Sequence, residues 1–201
     1  MKAPHSRVRW ILALLLVSTA IYGNPNAEFE KGRSAYLKSD YPKAEEHFRA
    51  CIGMDSERWL AHLYLGHSLF FQEKYAEAIP AYETAMQLGA ASMELKEAEQ
   101  RLLTDQLGMS YGISGHLEKA KALFEAAIQE DPDYAMYYYN LACTHAESGE
   151  LDDALSNLRL GFERRANMRP GERYPNPRND ASFRSFLRDQ KFETALKEMG
   201  F

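Results

Sequence analysis

The sequence predicts an all-α fold, a stack of helix-turn-helix hairpins closed by a short helical C-terminal cap. Three observations predict it. An alanine is followed four residues later by a ring or leucine, and three after that by a small residue, at Ala44/Phe48/Cys51, Ala78/Tyr82/Ala85, Ala120/Phe124/Ala127 and Ala154/Leu158/Gly161. The leading alanines are 34, 42 and 34 residues apart, a period that belongs to stacked supersecondary units. Between these beats the apolar residues recur at spacings of three and four, the helical period.

The first element lies outside the stack. Lys2, His5, Arg7 and Arg9 precede an apolar run from Trp10 to Val17, followed by Ser18-Thr19-Ala20 and Ile21-Tyr22-Gly23. This is the grammar of a secretory signal peptide over residues 1–23, with cleavage after Ala20 or Gly23. The run falls short of the roughly 20 apolar residues that span a membrane. An exported protein, periplasmic or secreted, is the expectation; an uncleaved anchor in the inner membrane is the alternative.

Four hairpins are expected over residues 24–165, at about 25–58, 59–92, 101–134 and 135–165. The first runs from Phe29 to Leu37, turns at Ser39-Asp40 and continues through Tyr41, Ala44, Phe48 and Ile52. The second pairs Leu60, Leu63, Tyr64 and Leu69 with Tyr75, Ile79, Tyr82 and Met86 across Glu73-Lys74. The third pairs Leu103, Leu107 and Tyr111 with Leu117, Leu123, Phe124 and Ile128 across Ser114-Gly115-His116, and stops at Asp131-Pro132. The fourth pairs Tyr137, Tyr138 and Leu141 with Leu151, Leu155 and Phe162 across Ser148-Gly149-Glu150. Gly32, Gly66, Gly108 and Ala142 mark where the two helices of a hairpin cross too closely for more than a methyl.

Leu65-Gly66-x2-Leu69 with Ala78-x3-Tyr82-x2-Ala85, and Leu107-Gly108-x2-Tyr111 with Ala120-x3-Phe124-x2-Ala127 and Pro132, resemble the tetratricopeptide repeat. The resemblance covers residues 25 to 165. It departs at Lys31 and Ala35 in the first copy, and at Ala142, His145 and Leu158 in the fourth. It implies a right-handed superhelical stack whose first helices line a concave groove. Groove-facing positions are then Phe29, Arg33, Tyr36, Tyr64, His67, Phe71, Gln106, Met109, Tyr139 and Asn140. Family members that hold a chaperone's C-terminal carboxylate use Lys, Asn and Arg in the groove. The matching positions here carry Phe29, Arg33, Tyr64, Leu102 and Gln106, so that ligand class is not expected.

The 42-residue step carries an eight-residue insertion before the third repeat. Gly89-Ala90-Ala91-Ser92 reads as a break, and the strong helix formers from Met93 to Gln100 read as an early start to the next helix, capped by Ser92. Beyond Phe162, residues 166–179 read as a Pro-, Gly- and Arg-rich loop. Residues 180–201 form the cap, with helices after Asp180 and Asp189 that offer Phe183, Phe186, Phe192 and Leu196 to the last hairpin.

The formal charge is −5, and −8 once Lys2, Arg7 and Arg9 are removed. An acidic body without a basic face argues against nucleic acid and against adsorption to anionic membranes. No phosphate loop, dinucleotide fingerprint, nucleophile elbow or zinc motif is present in the sequence. Cys51 and Cys143 sit in the first and fourth hairpins with two complete hairpins between them, too far for a disulfide. No cofactor, metal or catalytic residue is expected. The reading is a non-enzymatic interaction protein that binds another protein or a peptide in its groove.

Overall fold

The computed structural model describes residues 23–201. The proposed signal peptide therefore lies almost wholly outside the described residues. Eight helices form the stack: α1 (Pro25–Leu37), α2 (Tyr41–Met54), α3 (Trp59–Phe70), α4 (Tyr75–Ser92), α5 (Glu97–Ile113), α6 (Leu117–Glu130), α7 (Ala135–Glu147) and α8 (Leu151–Glu163). They pair as α1/α2, α3/α4, α5/α6 and α7/α8, and each second helix packs on the first helix of the next hairpin. The first helices also touch in series, α1 to α3 to α5 to α7.

Each hairpin turns the same way. Ser39, Glu73, Gly115 and Gly149 have φ of 58°, 61°, 80° and 78°. The next residue in each case, at Asp40, Lys74, His116 and Glu150, donates its N–H to the carbonyl five back, at Ala35, Leu69, Tyr111 and His145. This is the left-handed helix ending that satisfies stranded carbonyls. Glycine removes the steric penalty only in the last two hairpins.

The close crossing has a measurable cause. A Cβ built on Gly32 would lie 2.8 Å from the Phe48 ring, on Gly66 2.6 Å from Tyr82, and on Gly108 2.1 Å from Phe124. In the fourth hairpin Leu158 replaces the ring and Ala142 replaces the glycine, both buried in one cluster. The smaller partner leaves room for the methyl. Gly108→Ala is accordingly expected to lose about 2 kcal/mol by overpacking Phe124. Gly112→Ala, one turn along the same helix, meets nothing within 4 Å and is expected to gain up to about 1 kcal/mol from helix propensity. Urea unfolding of the two variants should move in opposite directions.

The extra eight residues are placed differently from the sequence reading. Gly89–Ser92 continue α4, which has 18 residues, and the break falls at Met93, with φ 56°. Helix α5 starts at Glu97 rather than near Ser92, with the Lys96 N–H donating to Glu99 Oε2 at 2.8 Å. Second helix and first helix have each grown by about one turn, and residues 93–96 match the four-residue links at 55–58 and 131–134. Glu94 ties the protruding arm back by accepting from Trp59 Nε1 at 2.9 Å.

Buried apolar residues form two clusters. One runs through the first three hairpins and onto Tyr137 and Leu141 of α7, and the other joins Tyr139, Ala142 and Ala146 of α7 and the buried face of α8 to the C-terminal segment. Short 3-10 turns at Pro177–Asn179 and Ala181–Phe186 lead to α9 (Gln190–Glu198). Asp180 accepts from Ser182 N, and Asp189 from Lys191 N and Phe192 N. Phe183, Phe192, Ala195 and Leu196 are fully buried against α7 and α8. The stretch read as a loop is pinned by Tyr174, whose hydroxyl donates to the Leu158 carbonyl at 2.8 Å.

Candidate functional site

The first helices carry the groove-facing residues, and the structure sorts those into two neighbourhoods. The first is aromatic. Tyr36 lies 5.4 Å from Tyr64, 6.1 Å from His67 and 6.2 Å from Phe71. Phe71 stacks on Tyr41 at 4.9 Å and is half exposed. Tyr64 stacks on Phe48 at 5.4 Å. Arg33 is exposed and reaches Glu30 at 2.9 Å. Phe29 is buried between Phe48 and Tyr64 beneath the Arg58 guanidinium, so it belongs to the core more than to the groove. His67 is buried among Tyr36, Tyr64 and Tyr82. Burial lowers its pKa to about 4, and its Nε2 has no hydrogen-bond partner among the described residues.

The second neighbourhood lies between α5, α7 and the start of the cap. Met109 and Ile113 are exposed there. They border a cavity of about 440 Å³ that also touches Asn140, Glu147 and Ser182. Gln106 is half-buried, with its Oε1 unpartnered. Asn140 is spoken for: its Nδ2 donates to Asp105 Oδ1 at 2.8 Å. Tyr139 is removed from the groove altogether. It is 2% exposed, donates to Asp180 Oδ2 at 2.9 Å, and packs edge-on to Tyr174 and Phe183.

The repeat register explains these corrections. Phe29, Leu63, Asp105 and Tyr139 occupy one equivalent position in the four first helices, and all four are buried. The apolar Leu63 in that slot was the signal that it faces inward. Asp105 is the exception in kind, a carboxylate where the others are apolar or aromatic. Its Oδ2 accepts from Tyr134 at 2.9 Å, while the same hydroxyl lies 3.2 Å from Glu172. Arg169 stands 3.9 Å away and bonds Glu172. Burial raises the pKa of Asp105 to about 7, against the opposing pull of Tyr134, Arg169 and Asn140. This buried group was not foreseen from the sequence.

Among the described residues, one set of potential metal donors converges: His145, Glu150 and Asp153, with ligand atoms within 4.8 Å. Glu150 there is already engaged by Lys121 at 2.8 Å and by His145 Nδ1 at 2.6 Å. The set is an ion-paired turn joining the third and fourth hairpins. Both cysteines are free thiols, Cys51 buried and Cys143 half-buried. No helix among the described residues is long and apolar enough to cross a membrane.

A rigid helical stack with a partly aromatic groove is the architecture of a protein-interaction scaffold. The chain belongs to the tetratricopeptide repeat family: three profiles described as tetratricopeptide repeat match residues 29–92, 105–134 and 123–156. Together they cover more than half of the chain. Solved structures are similar in fold. One described as MamA shares 20% identity, with a TM-score of 0.62, over 78% of this chain and 87% of that one. MamA from Desulfovibrio magneticus RS-1 shares 19% identity, with a TM-score of 0.61, over 72% and 77%. A Podosopora anserina putative kinesin light chain with nearly identical TPR-like repeats shares 16%, with a TM-score of 0.59, over 88% and 94%. A sequence comparison with curated proteins found no match.

Proposed function

We propose that the protein is a non-enzymatic interaction module that holds a segment of another protein in its concave groove, serving as scaffold or assembly factor in the cell envelope. The observation that carries the groove reading is that Phe71, just past the end of α3, and Met109 and Ile113 on α5 are exposed large apolar side chains at groove-facing or adjacent positions. Exposed large apolar side chains on a rigid concave face favour a partner, since little ordering entropy is lost on binding. Export is supported by the grammar of residues 1–23. The membrane-tethered alternative shares the groove and differs only in whether that segment is removed, which N-terminal sequencing of the mature protein decides.

The groove reading is tested by affinity capture with the mature form. The double variant Phe71→Ala/Met109→Ala is expected to keep its thermal midpoint within a few degrees, because both side chains are exposed, and to lose the captured partner. A variant on a second helix, Glu125→Ala, serves as control. Retention of the same partner by the groove variant would show that the groove is not the binding face.

A further inference from the structure

The repeat register shows a place where one ring is missing. The position held by Tyr36 in the first hairpin and Phe70 in the second is Gly112 in the third and Ala146 in the fourth. The Tyr36 ring lies over the next hairpin's first helix, against Tyr64, His67 and Phe71. In the fourth hairpin those three positions are Asn140, Cys143 and Glu147. All three line the cavity of about 440 Å³ that Gly112 itself borders, a volume within the range of ligand sites. A Cβ on Gly112 would meet nothing within 4 Å. No close approach requires glycine here, unlike at Gly108, and glycine is a poor helix former.

The chemistry of the walls is specific. Met109, Ile113, Leu117 and Phe124 supply its apolar surface. Both charged residues at the cavity, Glu147 and Asp180, are carboxylates, and neither pairs with a cation among the described residues. Asp180 is occupied by Ser182 N, the Tyr139 hydroxyl and the Cys143 thiol. Glu147 is exposed and has no such engagement.

We infer that this cavity receives one aromatic side chain of a peptide partner, with a neighbouring Lys or Arg of that peptide paired to Glu147. The partner supplies the ring that the third repeat lacks. The inference rests on the groove reading above and sharpens it to a ligand chemistry.

Two probes with the same ring and opposite charge test it: phenethylamine and 3-phenylpropionate, titrated into the full chain and followed by methyl NMR. Phenethylamine is expected to shift the Met109, Ile113 and Leu117 methyls and to bind about fivefold more tightly than phenylpropionate at low salt, the size of one exposed ion pair. In Glu147→Gln that preference disappears. Gly112→Phe fills the cavity from within and is expected to lose probe binding, whereas Gly112→Ala keeps both binding and a thermal midpoint at or above the parent's. Equal affinity for the two probes, or unchanged binding when the ring is supplied at position 112, overturns the inference. Should Gly112→Phe fail to fold, Met109→Gln tests the same wall from an exposed position, and unchanged probe binding there counts equally against it. Partner capture that depends on Phe71 but survives Gly112→Leu removes this pocket and leaves the groove reading standing.

Discussion

Phe192→Ala is expected to destabilise the protein by about 3 to 5 kcal/mol, the usual cost of emptying a buried ring site. The ring is fully buried, stacks on Phe183 at 5.6 Å and lies 6.2 Å from Phe186. Its cluster contains the cap, α8 and one face of α7, whereas Tyr137 and Leu141 on the other face of α7 belong to the cluster of the first three hairpins. In a stack whose units touch only their neighbours, damage to one end stays near that end. Amide exchange should therefore accelerate in α7, α8 and the cap, while α1 to α4 keep most of their protection. The same loss should free Tyr139, because Phe183 and Asp180 hold it. Uniform loss of protection along the whole stack would show that the two clusters unfold as one.

The second large effect is a pair of opposed pH dependences. His67 takes up its proton near pH 6.5 in the unfolded chain and only near pH 4 when folded. Between those values the unfolded state binds the proton that the folded state refuses, so stability falls as pH falls. Asp105 behaves in reverse, since its folded pKa is about 7 against 3.8 for the free side chain. There the folded state holds the proton first, so stability rises as pH falls. Across pH 4 to 6.5 the two slopes act against each other.

Each single variant should uncover the other slope. His67→Leu removes the acid penalty, and its stability relative to the parent should improve by about 3 kcal/mol between pH 7 and pH 4. Asp105→Asn removes the alkaline penalty and should improve relative to the parent by about 4 kcal/mol between pH 4 and pH 8. Asparagine can keep the local bonds, because its oxygen can accept from Asn140 and its amide can donate to Tyr134, whose proton then turns to Glu172. Urea midpoints measured at intervals of one pH unit decide the matter. A parallel pair of profiles for parent and variant would mean that the mutated group does not titrate between its two states as described.

The hairpins were legible in the sequence because their cause is local and repeated. A ring in the second helix demands a glycine in the first, and the pair recurs at fixed spacing from Gly32/Phe48 to Gly108/Phe124. The helix break before the third repeat was not legible. Gly89 suggested an ending, yet its neighbours Trp59 and Leu95 pack beside it and the helix runs on to Ser92. The turn then uses Met93 in the left-handed region, a residue with no preference for it. At the candidate site, the facing positions followed from register, but their exposure did not. Tyr139 is covered by a cap whose path depends on Asp180, and Phe29 by Phe48 and Tyr64. Asp105 was invisible because its partners come from residues 134, 140, 169 and 172, brought together only by the fold.

The arm formed by the end of α4 and the start of α5 has a consequence for how this protein can change. Its two antiparallel helices each gained about four residues, close to one turn and about 6 Å of length. An addition of that size overshoots a full turn by about 40°, so side chains return near their former heading and the groove downstream stays close to phase. Two residues per helix would leave each one about 160° short of a full turn and swing Leu103 and Leu107 out of the core. The arm is thus a telescoping joint with fixed stops. Its length can be reset in paired turns, carrying Met93 outward or drawing it in, while the two neighbourhoods of the groove stay in register.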